Sequence, residues 1–344
     1  MTFERVAIWG AGAIGGTIGA FLARSGLSTV LIDRDMAHVA AMAERGLLIT
    51  GPVASFRAEV EAATPERVPG PLDLVLLAVK SQHTEEATRA LKPYLASSGA
   101  VVSLQNGLNE PTIASVVGPE RTIGAFVNFS ADVIAPGEIQ YGSPGSLVVG
   151  ELDGRATPRL EALRLLLARF NPNAKLSTNI YGYLWSKQGY GALLKASALT
   201  DLSIVDFLAA QEWRAVSVAL VREIGTAAEQ NGIRLESFDG FDPDAFRPGA
   251  SAAATERSFE GMIEHNRHSA KTHSGIWRDI AVRKRPTEVA AQLGPVIAAG
   301  AAKGVAMPIA RELVRLIGEI DAGKRRQGLG NLRILSAATK EPAV

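Results

Sequence analysis

The residues best suited to chemistry in this 344-residue chain lie in short stretches of its second half. Lys187 sits in LWSKQGYGALLK, 184–195, beside Trp185 and several apolar residues. Such flanks partly desolvate an amine and make it a usable proton donor to a carbonyl oxygen. Positions 187, 191 and 195 are four apart, so Lys187, Gly191 and Lys195 share one helix face with a slow drift. A cleft lined by two lysines attracts an anionic substrate; in isolation the pair also reads as two solvated lysines. Glu288 lies in RKRPTEVAAQLGPVI, 283–297, where Pro286 suits a helix start and an acid in the first turn is favoured by the dipole. Ser274 and His273 lie in KTHSGIWRD, 271–279, among Lys271, Thr272 and Arg278. That polar cluster could grip a carboxylate, although His273 also reads as a surface histidine. No metal-ligand spacing involves it, and no metal is expected.

A second kind of chemistry is written at the beginning. The apolar run VAIW, 6–9, stops at GAGAIGG, 10–16, and a helix-like stretch follows at 16–25. Gly10, Ala11, Gly12, Ala13, Ile14 and Gly15 form a G-x-G-x-x-G loop. Gly10 makes the tight turn, Gly12 lets the backbone approach a pyrophosphate, and Gly15 lets the helix pack close to the strand. The N–H groups and dipole of the helix start favour the phosphate charge. The next strand, Ser28–Ile32, ends in Asp33, 23 residues after Gly10, near the spacing expected for an acid bonding a ribose 2′-hydroxyl. Arg34 follows it.

Two further candidates end apolar runs. Lys80 follows 72–79 in LLAVKSQ, and Asn106 follows 100–104 in VVSLQNGL. Ligands of open parallel sheets bind at such carboxyl ends, where these groups could meet the nicotinamide ribose and substrate oxygens. Lys80 also reads as a helix-opening lysine, and Asn106-Gly107 as an ordinary turn.

Composition narrows the function classes. Hydrophobic residues make up 47 % and charged residues 21 %, so a sizeable core can form, and the length suits two domains. A net charge of +1 without a long basic block argues against a nucleic-acid partner. The absence of cysteine rules out disulfides and a thiolate nucleophile, and fits a reducing cytoplasm. The first strand begins within a few residues, leaving no room for a signal peptide, and no apolar stretch reaches the ~18 residues that span a bilayer. These points predict a cytoplasmic protein without a membrane partner.

The elements needed to position these residues follow from periodicity. Helices are expected at 36–46, 84–94 and 109–117, alternating with the buried runs, which implies βαβ units and a doubly wound, mostly parallel sheet. Shorter strands with Pro-Gly turns between 121 and 150 suggest an antiparallel extension at the sheet edge. Residues 157–170 read as a helix with a core-packing leucine stripe. After Asn179 the pattern is helical, with helices at 180–199, 212–232, 287–302 and 307–321, and a Gly/Pro/Phe-rich covering loop at 234–254. The expected division is an α/β Rossmann domain over 1–178, an all-α substrate and dimerisation domain over 179–330, and a short tail at 331–344. The cleft between the domains is the default ligand site.

GAGAIGG, AVKSQ, LQNG, LWSK, HSGIWRD and RPTEV, in this order and at these intervals, resemble the ketopantoate reductase family over roughly residues 4–325. The resemblance implies hydride transfer from a reduced nicotinamide to a small 2-oxo acid in the interdomain cleft, and a homodimer. By matching motif positions it makes Lys187 the general acid and Glu288 the carboxylate that assists binding. It gives Lys80 and Asn106 contacts to cofactor and substrate, and makes Ser274 or its neighbours the holders of the substrate carboxylate.

The chain also departs from the family pattern. Gly191 and Lys195 stand where the family helix usually offers asparagines, and Gly275 stands where it often has a second serine. These changes remove hydrogen-bond partners tuned to pantoate and add a cation, so the expected substrate is ketopantoate or a related, more anionic 2-oxo acid. The family usually uses NADP(H), with a basic residue such as Arg34 after the second strand. Asp33 would repel a 2′-phosphate and bond a free 2′-hydroxyl, which leans the choice to NAD(H). The alternatives are an opine-type or 3-hydroxy acid dehydrogenase of the same plan, or a non-catalytic nucleotide-binding regulator.

Overall fold

The computed structural model describes residue 3 and residues 5–340, which divide into two compact units after Ile180. In the first unit the strands in chain order are β1 (Arg5–Trp9), β2 (Ser28–Ile32), β3 (Leu47–Thr50), β4 (Phe56–Ala58), β5 (Glu61–Ala63) and β6 (Leu72–Leu77). They continue as β7 (Leu95–Ser103), β8 (Thr122–Val127), β9 (Ser130–Ala135), β10 (Glu138–Ser143), β11 (Leu147–Glu151) and β12 (Lys175–Leu176). The helices of this unit are α1 (Ala13–Arg24), α2 (Met36–Arg45), α3 (Thr84–Leu91), α4 (Glu110–Val117) and α5 (Pro158–Leu167).

β1 organises the main sheet, whose order is β12-β11-β8-β7-β6-β1-β2-β5. All pairs from β5 to β8 are parallel; β11 runs antiparallel to β8. The chain crosses from β1 to β2 on one side and later places β6 on the other. The strand order therefore reverses at β1, the place where ligands of doubly wound sheets bind. β6 is a continuous apolar run, LDLVLL, because a central parallel strand is covered on both faces.

The expected edge extension over 121–150 takes a different form. β8 is parallel and internal, and only β11 is antiparallel to it. β9 and β10 leave the main sheet for a second one of order β4-β3-β10-β9. That sheet packs against α1: Phe21 meets Phe56 and Tyr141 edge-on, with centroids 4.9 and 5.9 Å apart. Local periodicity cannot reveal this, since β3 and β10 pair across some 90 residues. The leucine stripe of α5 (Leu160, Leu163, Leu166, Leu167) is buried in the core.

Among the described residues the second unit is helical. It holds α6 (Ile180–Ser197), α7 (Ile204–Ala209), α8 (Arg214–Gln230), α9 (Ala252–Arg267), α10 (Gly275–Ala281), α11 (Val289–Ala302), α12 (Pro308–Asp321) and α13 (Leu329–Ala337). The Phe-rich loop before α9 covers α6: Phe238 and Phe241 pack against Tyr190, and a Cβ at Gly189 would stand 3.4 Å from Phe241. The expected tail does not begin at 331. Residues 331–337 belong to α13, which buries Asn331, Leu332 and Leu335, while 341–344 lie outside the described residues.

Candidate active site

Each unit carries one set of the candidate residues. In the first, Gly10 ends β1 at φ +98°, and a Cβ there would stand 2.7 Å from the Val79 amide nitrogen. A Cβ at Gly15 would stand 2.2 Å from the Gly10 carbonyl oxygen and 2.8 Å from Ile8, so only glycine lets α1 approach β1 this closely. Among the described residues, chain neighbours aside, a Cβ at Gly12 would meet nothing within 4 Å. The backbone at the N-terminus of α1 thus presents an open face, flanked by the partly buried Ala13 and Ile14 and the buried Ala11. Free helix-start N–H groups beside such a face fit the pyrophosphate of a dinucleotide.

The loop is held from behind by a residue that sequence reasoning missed. His38 of α2 is buried; its Nδ1 accepts the Gly137 N–H at 2.9 Å, so Nε2 carries the proton and donates to the Ala11 carbonyl at 3.0 Å. Its only sequence signal is a histidine in the apolar stripe His38–Ala41–Met42.

Asp33 follows β2, partly exposed, and one carboxylate oxygen accepts the Asp35 N–H at 3.0 Å. Asp35 in turn caps α2 by accepting from Ala37 and His38. Arg34 is exposed and its guanidinium reaches Nε2 of His83 at 3.2 Å. This ties the β2 end to the turn after β6 that carries Lys80, since His83 N–H donates to the Lys80 carbonyl at 2.8 Å.

Lys80 and Asn106 come together at neighbouring strand ends. The Ser81 hydroxyl donates to the Asn106 carbonyl, and so does Asn109 Nδ2 at 2.7 Å. Gln105 Nε2 donates to the Val79 carbonyl at 2.9 Å and the Thr84 hydroxyl at 2.8 Å. These buried amides and hydroxyls fix the two loops while the Asn106 side chain stays exposed. The sequence showed the loops but not their cross-links.

In the second unit, Lys187 lies on α6, half-buried between the buried Ser186 and Gln188. Lys195, two turns on, is only 4 % exposed. Its side chain folds back toward the N-terminus of the helix, as helix geometry favours. Lys195 Nζ lies 3.2 Å from where a Gly191 Cβ would stand. Burial pushes the Lys195 amine down to about 8, and the nearby Glu288 carboxylate partly opposes that shift. Glu288 is not in the first turn of its helix: it precedes α11 at φ −100°, ψ 16°, and is half-buried.

Ser274 and His273 have structural duties. The buried Ser274 caps α10, its Oγ accepting the Trp277 N–H at 3.2 Å, which leaves the hydroxyl proton to donate. His273 stacks on Trp277 with centroids 4.0 Å apart. Its Nε2 faces the Asp201 carbonyl at 3.3 Å and its Nδ1 the Thr272 hydroxyl at 2.9 Å, so both ring nitrogens are engaged. Asp201 follows α6, so this contact anchors the serine segment near that helix's end. Asp279, buried, accepts from Arg283 at 3.3 Å and Arg285 at 2.9 Å, which holds the segment leading to Glu288.

Comparison with known proteins decides what these sites belong to. The family model “Ketopantoate reductase PanE/ApbA” matches residues 6–154, and “Ketopantoate reductase PanE/ApbA C terminal” matches 179–321. The chain belongs to the ketopantoate reductase family. A 2-dehydropantoate 2-reductase of Pyrococcus abyssi is 32 % identical over 237 residues, covering 67 % of this chain and 76 % of that protein. One from Archaeoglobus fulgidus is 25 % identical over 324 residues, covering 94 % and 100 %. A solved PanE/ApbA family ketopantoate reductase from Ralstonia eutropha JMP134 superposes with a TM-score of 0.78 at 28 % identity, over 94 % of this chain and all of that one. As a ketopantoate reductase family member, the chain is a nicotinamide-dependent oxidoreductase acting on a CH–OH or ketone carbon. Its α/β unit with a mostly parallel sheet and its helical second unit are those of the family.

Proposed function

We propose that the protein reduces a 2-oxo acid to the 2-hydroxy acid, with Lys187 as the general acid. The observation that carries this reading is the half-buried Lys187 on the same helix as a fully buried second amine, with the Glu288 carboxylate near that amine. When bound, the nicotinamide supplies a hydride to the carbonyl carbon. Lys187 Nζ donates a proton to the carbonyl oxygen as negative charge develops there, and its positive charge stabilises that oxygen beforehand. Ser274 keeps a hydroxyl proton for a substrate oxygen. Glu288 balances the local cations and orients them. Asn106 and Lys80, fixed by the Gln105 and Asn109 bonds, contact cofactor and substrate at the strand ends.

On the cofactor side, the Gly12 face and the α1 N-terminus hold the pyrophosphate. Asp33 keeps one carboxylate oxygen for a ribose hydroxyl, and its charge disfavours a 2′-phosphate. NAD(H) is therefore the preferred cofactor in this reading, with Arg34 drawn toward His83. Steady-state oxidation of NADH and NADPH against a panel of 2-oxo acids tests both parts. The expected result is 2-oxo acid-dependent oxidation, faster with NADH. Oxidation of neither nicotinamide with any 2-oxo acid contradicts the reaction, and much faster oxidation of NADPH contradicts the role given to Asp33.

A further inference from the structure

Two glycines of the second unit share an unusual neighbourhood. Among the described residues, leaving aside chain neighbours and the helix's own backbone, a built Cβ at Gly191 meets Lys195 Nζ alone within 4 Å, at 3.2 Å, and one at Gly275 meets Lys271 Nζ alone, at 3.6 Å. In both places a lysine ammonium occupies the ground beside a missing side chain. Both amines lie largely out of water, and burial lowers each to about 8. A buried ammonium is costly unless a counter-charge meets it. For Lys195 the burial effect outweighs that of Glu288, so the existing carboxylate compensates it only in part.

The local charge balance points the same way. Helix α6 carries Lys187 and Lys195 and no acidic residue. Residues 271–288 carry five cations against two carboxylates, and one of those, Asp279, is already taken by Arg283 and Arg285. An uncharged side chain at 191 or 195 would serve a monoanionic substrate. An ammonium in that place serves one more negative charge, and a single amine shared with Glu288 matches a carboxylate better than a phosphate dianion.

We infer that the substrate is a 2-oxo dicarboxylic acid, whose second carboxylate is held by Lys195 in the space that Gly191 leaves. This rests on the reading of Lys187 as the acid at the carbonyl. Positions 187 and 191 are separated by about 6 Å of helix rise. That separation suits a carbon skeleton of four or five atoms, with its carbonyl oxygen toward Lys187 and its distal carboxylate toward Lys195. Lys195 is thus a specificity-determining residue, with Gly191 as the space it requires.

The test compares kcat/KM for oxaloacetate and 2-oxoglutarate with 2-oxobutyrate and 2-oxopentanoate, their chain-matched monoacids, and with ketopantoate. The wild-type enzyme should favour each diacid over its monoacid by tenfold or more. Lys195→Gln should lower that ratio at least tenfold, chiefly through KM of the diacid. Because that variant could be poorly folded, competitive inhibition of the unmodified enzyme is the second measurement. Glutarate should inhibit at least tenfold more strongly than butyrate. Efficient ketopantoate reduction, a wild-type ratio near one, equal inhibition by the two acids, or an unchanged ratio in a folded Lys195→Gln overturns the inference. Failure of all 2-oxo acids would instead overturn the reaction itself, so the two failures are distinguishable.

Discussion

The Lys195 ammonium lies over Gly191, 3.2 Å from the point where a side chain would begin. The two positions work as a unit, since a larger residue at 191 would compete with the amine. Gly191→Ala separates their effects on stability and binding. The contacted atom is the end of a flexible chain and can give way, while alanine in a helix interior gains about 0.5–1 kcal/mol over glycine. The variant should therefore melt at or above the wild-type temperature yet bind a diacid more weakly, seen as a raised KM. A clear loss of melting temperature would mean that the ammonium cannot move.

Lys195 also predicts a pH dependence. Its folded value of about 8 lies below the ordinary 10.5, so the folded protein binds fewer protons than the unfolded chain between these values. This residue's contribution to stability therefore rises with pH across that window. Substrate discrimination runs the other way, because the charge is lost as pH passes about 8. Since kcat/KM reports the free enzyme, the diacid-to-monoacid ratio should fall above that pH. Lys187 cancels from the ratio. A ratio that stays flat from pH 6.5 to 9.5 would remove Lys195 from substrate recognition.

Glu223 of α8 holds the start of α12 by accepting the Ile309 and Ala310 N–H groups, each at 2.9 Å. Burial raises its carboxyl to about 7, against the two hydrogen bonds and Arg311, which pull it down. A carboxyl raised in the folded state contributes most below its unfolded value of 4.5, and that contribution is lost as pH rises through about 7. Melting temperatures of wild type and Glu223→Gln, measured from pH 4.5 to 8, should differ by an amount that shifts in the variant's favour with rising pH. Parallel curves would show that Glu223 does not titrate there.

Much of the first unit was legible because its signals are local. The glycine loop, the Ser28–Ile32 strand and the apolar β6 run each declare themselves within ten residues. What stayed hidden depends on distant partners. β10 finds β3 far back in the chain, and His38, which also bonds Ala11, reaches Gly137 across 99 residues. The same holds in the second unit, where four-residue spacing placed Lys187, Gly191 and Lys195 on one face. It could not show that Lys195 turns back over Gly191 or lies near Glu288. α13 escaped because Gly328 and Gly330 interrupt the helical signal at its start, and its burial comes from α8 and α12 packing against it. Glu288 falls outside its helix because α11 begins at Val289, two residues after the expected start at 287.

The central claim, that Lys187 protonates the carbonyl oxygen, is tested most directly by Lys187→Ala. Its 2-oxo acid-dependent NADH oxidation should be compared with wild type, alongside NADH binding followed by nucleotide fluorescence. Removing a general acid costs about 10²–10⁴ in rate. The account predicts a kcat lowered by that factor with NADH affinity retained. A variant that keeps kcat within a few-fold of wild type, while still binding NADH, would contradict it.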